Sequence, residues 1–336
     1  MLRAAYKYLL VSVAAATLIA AAPAPTYVVS GSIAGPDGGW DYASVDGEAH
    51  QLYVAHGNVV TAVDLGTKAV RSFGAIAKAH AVVPIPGKSM LLVTSGHDNS
   101  VRLLATGDGR ELARIPVGAD PDAAFYDAAS GHAVVMNAKD GTVSVIDVAA
   151  RKVVRTITLK PALEFGVLGK NDTLYVNNED LNEIESANLA TGKVGATIPL
   201  PGCTGPTGLA YDGKTGQLIS ACANGKAAVV DAAAHKMVAL LSIGSGPDAV
   251  IMDTARRVAI IPCGRDGTLS IVALDAVGGA KVVGTAKSEK GARTGALDAA
   301  DGTIYLPTAA FSPPASAGAR PAATPGLFHI AVMSRR

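Results

Sequence analysis

Cysteine, aromatic residues and net charge are all scarce in this chain. Of its 336 residues, three are cysteine, one is tryptophan, five are phenylalanine and nine are tyrosine. Lysine and arginine number 29 against 28 aspartates and glutamates, a net charge of +1. That balance gives no electrostatic reason to expect nucleic acid or an anionic membrane as partner. The shortage of aromatics also removes the stacking platforms that single-stranded nucleic acid requires. Cys203, Cys222 and Cys263 form no CxxC or CxxCH, which argues against a zinc ribbon, a thioredoxin-like centre and attached c-type haem. No GxSxG nucleophile elbow occurs. A single tryptophan cannot supply the tryptophan pair of a protein-derived quinone.

What is abundant is small and apolar: 49% of the chain is hydrophobic and 37 residues are glycine. Part of this content lies at the N-terminus. Arg3 and Lys7 precede an apolar run from Tyr8 to about Ala22, and small residues fill its end. Residues 1–24 therefore read as a signal peptide, with a core of about 15 residues that is shorter than the ~20 a membrane-crossing helix needs. The expectation is a periplasmic or secreted protein with no stable membrane anchor after cleavage. An oxidising compartment permits one disulfide and leaves one thiol. Cys203–Cys222 is one candidate bridge and Cys263 a competing partner, either of which a Cα separation beyond ~7 Å would exclude.

The rest of the chain repeats. Six segments share a β-rich run, a small polar turn and a second β-rich run, as in LYVAHGNVVTAVDL from Leu52 and AVVMNAKDGTVSVIDV from Ala133. The residues ending the second run are Asp64, Ala105, Asp147, Asn188, Asp231 and Ala273, spaced 41, 42, 41, 43 and 42 apart. In the third unit the expected strands are Ala123–Asp127, His132–Asn137, Thr142–Val148 and Val153–Leu159, and Asp140-Gly141 is a hairpin signal. Four antiparallel strands per unit of this length describe a propeller blade. A seventh unit begins at Gly295 but carries an insertion over 309–325, Pro/Ala-rich from Phe311 to Pro325 and expected to form a semi-extended loop. Its fourth strand is expected from the other end of the chain, because Tyr27–Asp37 resembles the closing strands of the other units. The fold class is thus all-β, one seven-bladed β-propeller over 26–334, with the N-terminal strand closing the last blade. A monomer is expected.

The LYVAHG and LYVNN runs and the DGTVSVID-type hairpins resemble the YVTN-type β-propeller repeats of the YncE-like family, from about Tyr27 to Met333. The resemblance implies the fold. It implies less about chemistry, since more distantly similar propellers occur in lactonases, in nitrite- and nitrous-oxide-reducing enzymes and in quinoprotein amine dehydrogenases.

The repeat nominates a ligand face. In a propeller the loops entering the innermost strands share one end of the central channel, and rigid strands hold them there. The residues just before those strands are Asp41, His80, Asp122, Glu164, Thr207, Asp248 and Thr294, at steps of 39, 42, 42, 43, 41 and 46. Four carboxylates and an imidazole so placed perturb each other's protonation and attract a cation. Asp122, His80, Glu164 and Asp248 are candidate ligands for a divalent cation, Ca²⁺ through carboxylate oxygens or Zn²⁺ through the imidazole. Against this stands a turn role for aspartate, which caps loops by accepting from nearby amides. A second tier comprises His56, His97, Asn178 and Arg265 in the hairpins, where His56, His97 and His80 form a possible imidazole set. The leading expectation is an exported, non-catalytic propeller that binds a partner protein or small ligand on this face. The alternative is a metal-dependent, lactonase-like hydrolase at the channel mouth.

Overall fold

The computed structural model describes residues 25–276, 278–312 and 322–336. The expected signal peptide, 1–24, and most of the 309–325 insertion lie outside the described residues. No helix among the described residues is long and apolar enough to cross a membrane.

Seven four-stranded antiparallel sheets form the seven blades. In blade three the strands are Pro121–Asp127, His132–Asn137, Thr142–Asp147 and Lys152–Thr158. The hairpin between the middle two needs Gly141: its φ is 69°, and a Cβ there would lie 2.4 Å from the Lys160 backbone. Asp140 completes the turn by accepting from the amides of Thr142 at 3.1 Å and Ala119 at 2.8 Å. In blades one to four the two middle strands are the most buried, and Val, Ile, Leu and Ala fill the space between neighbouring sheets. The outermost strands alternate exposed and half-buried, as Lys236–Ser242 does in blade five.

The ends of the chain meet in blade seven. The strand Tyr27–Ala34 pairs antiparallel with Ala323–Arg335, which in turn pairs with Ile304–Phe311, and Ala296–Leu297 is innermost. The ring is closed without a covalent bond, and the amide of Arg336 donates to the Thr26 carbonyl at 2.8 Å. The single tryptophan sits on this seam. Trp40 opens blade one and packs against Phe328 and Phe311 of blade seven, with ring centroids 5.3 and 6.3 Å apart.

The insertion departs from expectation at its ends. Phe311 and Ala323–Pro325 are strand residues, with Phe311 opposite Ala323 and the Ser312 amide donating to the Ala322 carbonyl at 2.9 Å. Proline is tolerated because the register shifts between Ala309 and Phe311, so Pro325 falls where the ladder has no bond to make.

Cys203 and Cys222 are disulfide-bonded with a Cα separation of 5.4 Å, and Cys263 is free and buried. The bridge ties the loop entering blade five to the end of that blade's second strand.

Two stability tests follow. Ile33 is buried in the closing strand and Ser32 is exposed beside it. Ile33→Asp is expected to cost several kcal/mol by burying an unpaired charge, roughly 3 or more, while Ser32→Asp stays within about 0.5; urea unfolding midpoints compare them. Replacing both Cys203 and Cys222 by serine opens a loop whose ends are 19 residues apart. The entropic cost is about 3 kcal/mol, read from the same unfolding curve under non-reducing conditions.

Candidate functional site

Asp248 and Thr294 precede the innermost strands Ile251–Asp253 and Ala296–Leu297 as expected, whereas the other five residues expected there are one position further in. Asp41, His80, Asp122, Glu164 and Thr207 are each the second residue of the innermost strand of blades one to five. In every one of these strands the pairing register shifts immediately after the first residue. A bulge unpairs the residue it carries and re-aims its side chain. Repeating it in successive blades turns one side chain per blade toward the axis.

The opposite face uses its acids differently. Asp46, Asp64, Asp127, Asp147, Asp212 and Asp231 each accept from amides two or three residues on. These carboxylates are consumed by turns. At the channel mouth the acids face one another instead, and only the side chains named next serve them.

His80 Nδ1–H lies between two carboxylates, 2.7 Å from Asp41 Oδ2 and 2.9 Å from Asp122 Oδ1. Burial disfavours the imidazolium, yet the bonds to Asp122 and Asp41 and their charges outweigh it and raise the His80 pKa to about 9. Its Nε2 is buried and faces Asp120 Oδ1 at 3.7 Å, a carboxylate that Lys78 approaches at 3.4 Å. Burial pushes the Asp41 carboxyl up, its bond to His80 pulls it down, and the Asp122 charge pushes it up again. The three side chains are only 12 to 19% exposed. Their ligand atoms lie within 4.8 Å of one another, and among the described residues they form the one group of three or more His, Cys, Asp or Glu so arranged.

Asp248 has a different partner. Arg293 Nε donates to Asp248 Oδ2 at 2.8 Å, and Arg293 Nη2 to the Trp40 carbonyl at 3.3 Å. Burial raises the Asp248 carboxyl to about 6 although Arg293 opposes it. Glu164 has no basic partner among the described residues. Burial, then the charges of Asp122, Asp248, Glu179 and Asp41, hold it protonated with a pKa of about 10. Beneath the ring lies Tyr42, buried and 5.3 Å from Phe165, its phenol pushed well up by burial and by the carboxylates of four blades. Tyr42 also lines a cavity of 180 Å³ together with Ala81, Ala124, Phe165, Ala249 and Gly295.

The remaining candidates do other work. Thr207 Oγ1 donates to the Pro247 carbonyl at 3.3 Å and Thr294 Oγ1 to the Asp41 carbonyl at 2.8 Å, so both hydroxyls bind neighbouring blades together. His56 is buried in its hairpin, Nδ1 paired with Thr61 at 2.9 Å and its ring against Phe328 at 4.3 Å. Asn178 donates to the Pro161 carbonyl at 2.8 Å and to Glu185 at 2.9 Å. His97 and Arg265 are exposed. Neither His56 nor His97 joins His80 in the ligating group, and neither do Glu164 and Asp248. The repeat did not single out Arg293, Tyr42 or Asp120. The first two adjoin positions it did mark, Thr294 and Asp41, and that adjacency was the available signal.

With the geometry in hand, comparison with known proteins adds the fold and little else. No family model matches the chain, and no curated protein matches it. Among solved structures, it is similar to a chain of Kuenenia stuttgartiensis hydrazine synthase, at 15% identity with a TM-score of 0.70, covering 88% of this chain and 95% of that one. It is also similar to a chain of a mitotic checkpoint complex, at 12% identity with a TM-score of 0.75, covering 99% and 98%. At these identities the likeness is one of architecture.

The linkage of Glu164 to folding has a definite sign. Its folded pKa of about 10 exceeds the ordinary 4.5, so the folded state holds a proton the unfolded chain releases. The stability this confers is complete below pH 4.5 and is lost as pH rises towards 10. Glu164→Gln is expected to flatten the fall in thermal midpoint between about pH 5 and 9 and to raise the midpoint at the alkaline end. A variant as pH-dependent as the parent would contradict the assignment.

Proposed function

We propose that this chain is an exported, non-catalytic binding propeller whose channel mouth receives a cationic group, carried by a small ligand or by a basic side chain of a partner protein. The observation that carries the reading is the uneven pairing of four carboxylates at one mouth. Asp41 and Asp122 share His80, Asp248 has Arg293, and Glu164 is left holding a proton. An entering ammonium or guanidinium would take the place of that proton.

The absence of an activated nucleophile among the described residues favours binding over catalysis. The Cys263 thiol is buried and pushed up by burial, and the His56–Thr61 pair is sealed inside its sheet. Arg3, Lys7 and the apolar run that follows support export to the periplasm or medium, and the Cys203–Cys222 bridge fits an oxidising compartment. The YVTN-type runs keep the YncE-like family as the kinship we propose, and the likeness to a chain of a checkpoint complex is compatible with a protein partner.

One observation favours a second reading, a divalent-cation-dependent hydrolase of the lactonase kind. Asp41, His80 and Asp122 offer two carboxylate oxygens and one imidazole nitrogen in mutual reach, a donor set that suits Zn²⁺ and, with additional oxygen ligands, Ca²⁺. Asp120 stands behind the imidazole, where a ligating histidine usually finds its outer partner.

Calorimetric titration of the purified protein with agmatine, Ca²⁺ and Zn²⁺ separates the two. The binding reading expects agmatine to bind with release of a proton and Glu164→Gln to weaken it roughly 10- to 100-fold, the worth of one charge-assisted hydrogen bond. Stoichiometric metal that survives purification, disappears in Asp122→Ala and supports lactone hydrolysis would replace that reading with the second.

A further inference from the structure

Beside the channel mouth, on the seam between blades seven and one, lies a second cavity of 440 Å³. Trp40, Phe311, Phe328, Ala309 and Pro325 give it apolar walls, and Arg293 reaches it from the mouth. In a chain with six tryptophan and phenylalanine residues together, three border this one space. Its volume lies within the range of roughly 300–1,000 Å³ typical of small-molecule sites.

One hydrogen-bond donor at the cavity is unspent among the described residues. Arg293 uses Nε on Asp248 and Nη2 on the Trp40 carbonyl, which leaves Nη1 unused, and its side chain is 42% exposed. The partner such a donor takes is an oxygen. Stacking against tilted aromatic rings suits a flat apolar body. Asp37 also lines the cavity, its Oδ2 accepting from the Gly326 amide at 2.6 Å; the free donor edge at the space is that of Arg293, which favours an acceptor over a cation.

We propose that this cavity is a binding site for a small aromatic molecule bearing a carboxylate or carbonyl oxygen. The ring lies along Trp40 and Phe311, and the oxygen accepts from the free edge of Arg293. The site is distinct from the cation-receiving ring and does not rest on it, although Arg293 borders both.

Trp40 is the only tryptophan in the chain, so its fluorescence reports on this cavity alone. The test titrates the purified protein with benzoate, benzamide and benzylamine while exciting tryptophan. Benzoate and benzamide are expected to give saturable changes at roughly millimolar concentration, as fits so small a ligand, and benzylamine to bind at least about tenfold more weakly. Benzoate tighter than benzamide assigns the carboxylate, and the reverse order assigns the carbonyl. Phe311 is 38% exposed, so Phe311→Ala is expected to keep the parent urea midpoint while weakening both ligands about tenfold. Val238→Ala, at an exposed site on blade five, leaves them unchanged. Three results would overturn the proposal: no saturable change with any probe, benzylamine binding as well as benzoate, or undiminished binding in Phe311→Ala.

Discussion

Seven sheets must meet on one axis, and the polar groups at that meeting have to be satisfied by the neighbouring blade. The structure meets this with a chain of side-chain clamps on backbone carbonyls at the mouth. Thr94 of blade two donates to the Asp122 carbonyl of blade three at 3.3 Å, and Asn177 of blade four to the Thr207 carbonyl of blade five at 2.8 Å. Thr207 passes the pattern to blade six, and Thr294 passes it from blade seven to blade one. The innermost strands of blades one, three, five and six are therefore each held at the entrance by a side chain of the preceding blade. Ring residues that spend their side chains in this way stiffen the mouth, and those that do not are free for chemistry.

That division explains the electrostatics. Blades one, two, three, four and six contribute ionisable ring side chains, while blades five and seven contribute the threonines that close the clamps. Burial concentrates the charges that remain, because few solvent molecules lie between Asp41, His80 and Asp122 to screen them. Arg293, next in sequence to a clamping threonine, offsets one acid, leaving Asp41 and Asp122 to share a single imidazole and Glu164 with no cation beside it. The mouth is thus close to neutral overall and strongly uneven from blade to blade.

Much of this was legible in the residues. The 42-residue spacing locates six blades and the strand-like run from Gly295 the seventh, and the strands expected in blade three match those found to within two residues at every end. The same spacing identified the ring, since a bulge recurring at one register position leaves a polar residue recurring at one repeat position. Pairing across blades was not legible. Arg293 meets an aspartate 45 residues away, and a repeat aligns equivalent positions without saying which of them touch. His56 and Asn178 looked like loop ligands because polar residues at hairpin ends generally face water. Here both are the last residues of their blades' second strands and are buried, where Thr61 and Glu185 satisfy them. The strand at Ala323–Pro325 was obscured by proline, whose exclusion from ladders lapses at a shift of register.

The shared seventh blade has a consequence for the order of events in time. Of the described strands, Tyr27–Ala34 emerges first during synthesis and its partner Ala323–Arg335 last. Six blades can be complete while the first strand still has no sheet to join. Closure joins segments separated by nearly the whole described chain, although loop entropy grows only with the logarithm of that length. The penalty is therefore chiefly one of waiting: an unpaired strand and an open blade edge persist until the final residues arrive, the interval in which such edges aggregate. A ring with no weak edge once finished is, until its last strand is made, a sheet protein with two exposed ends.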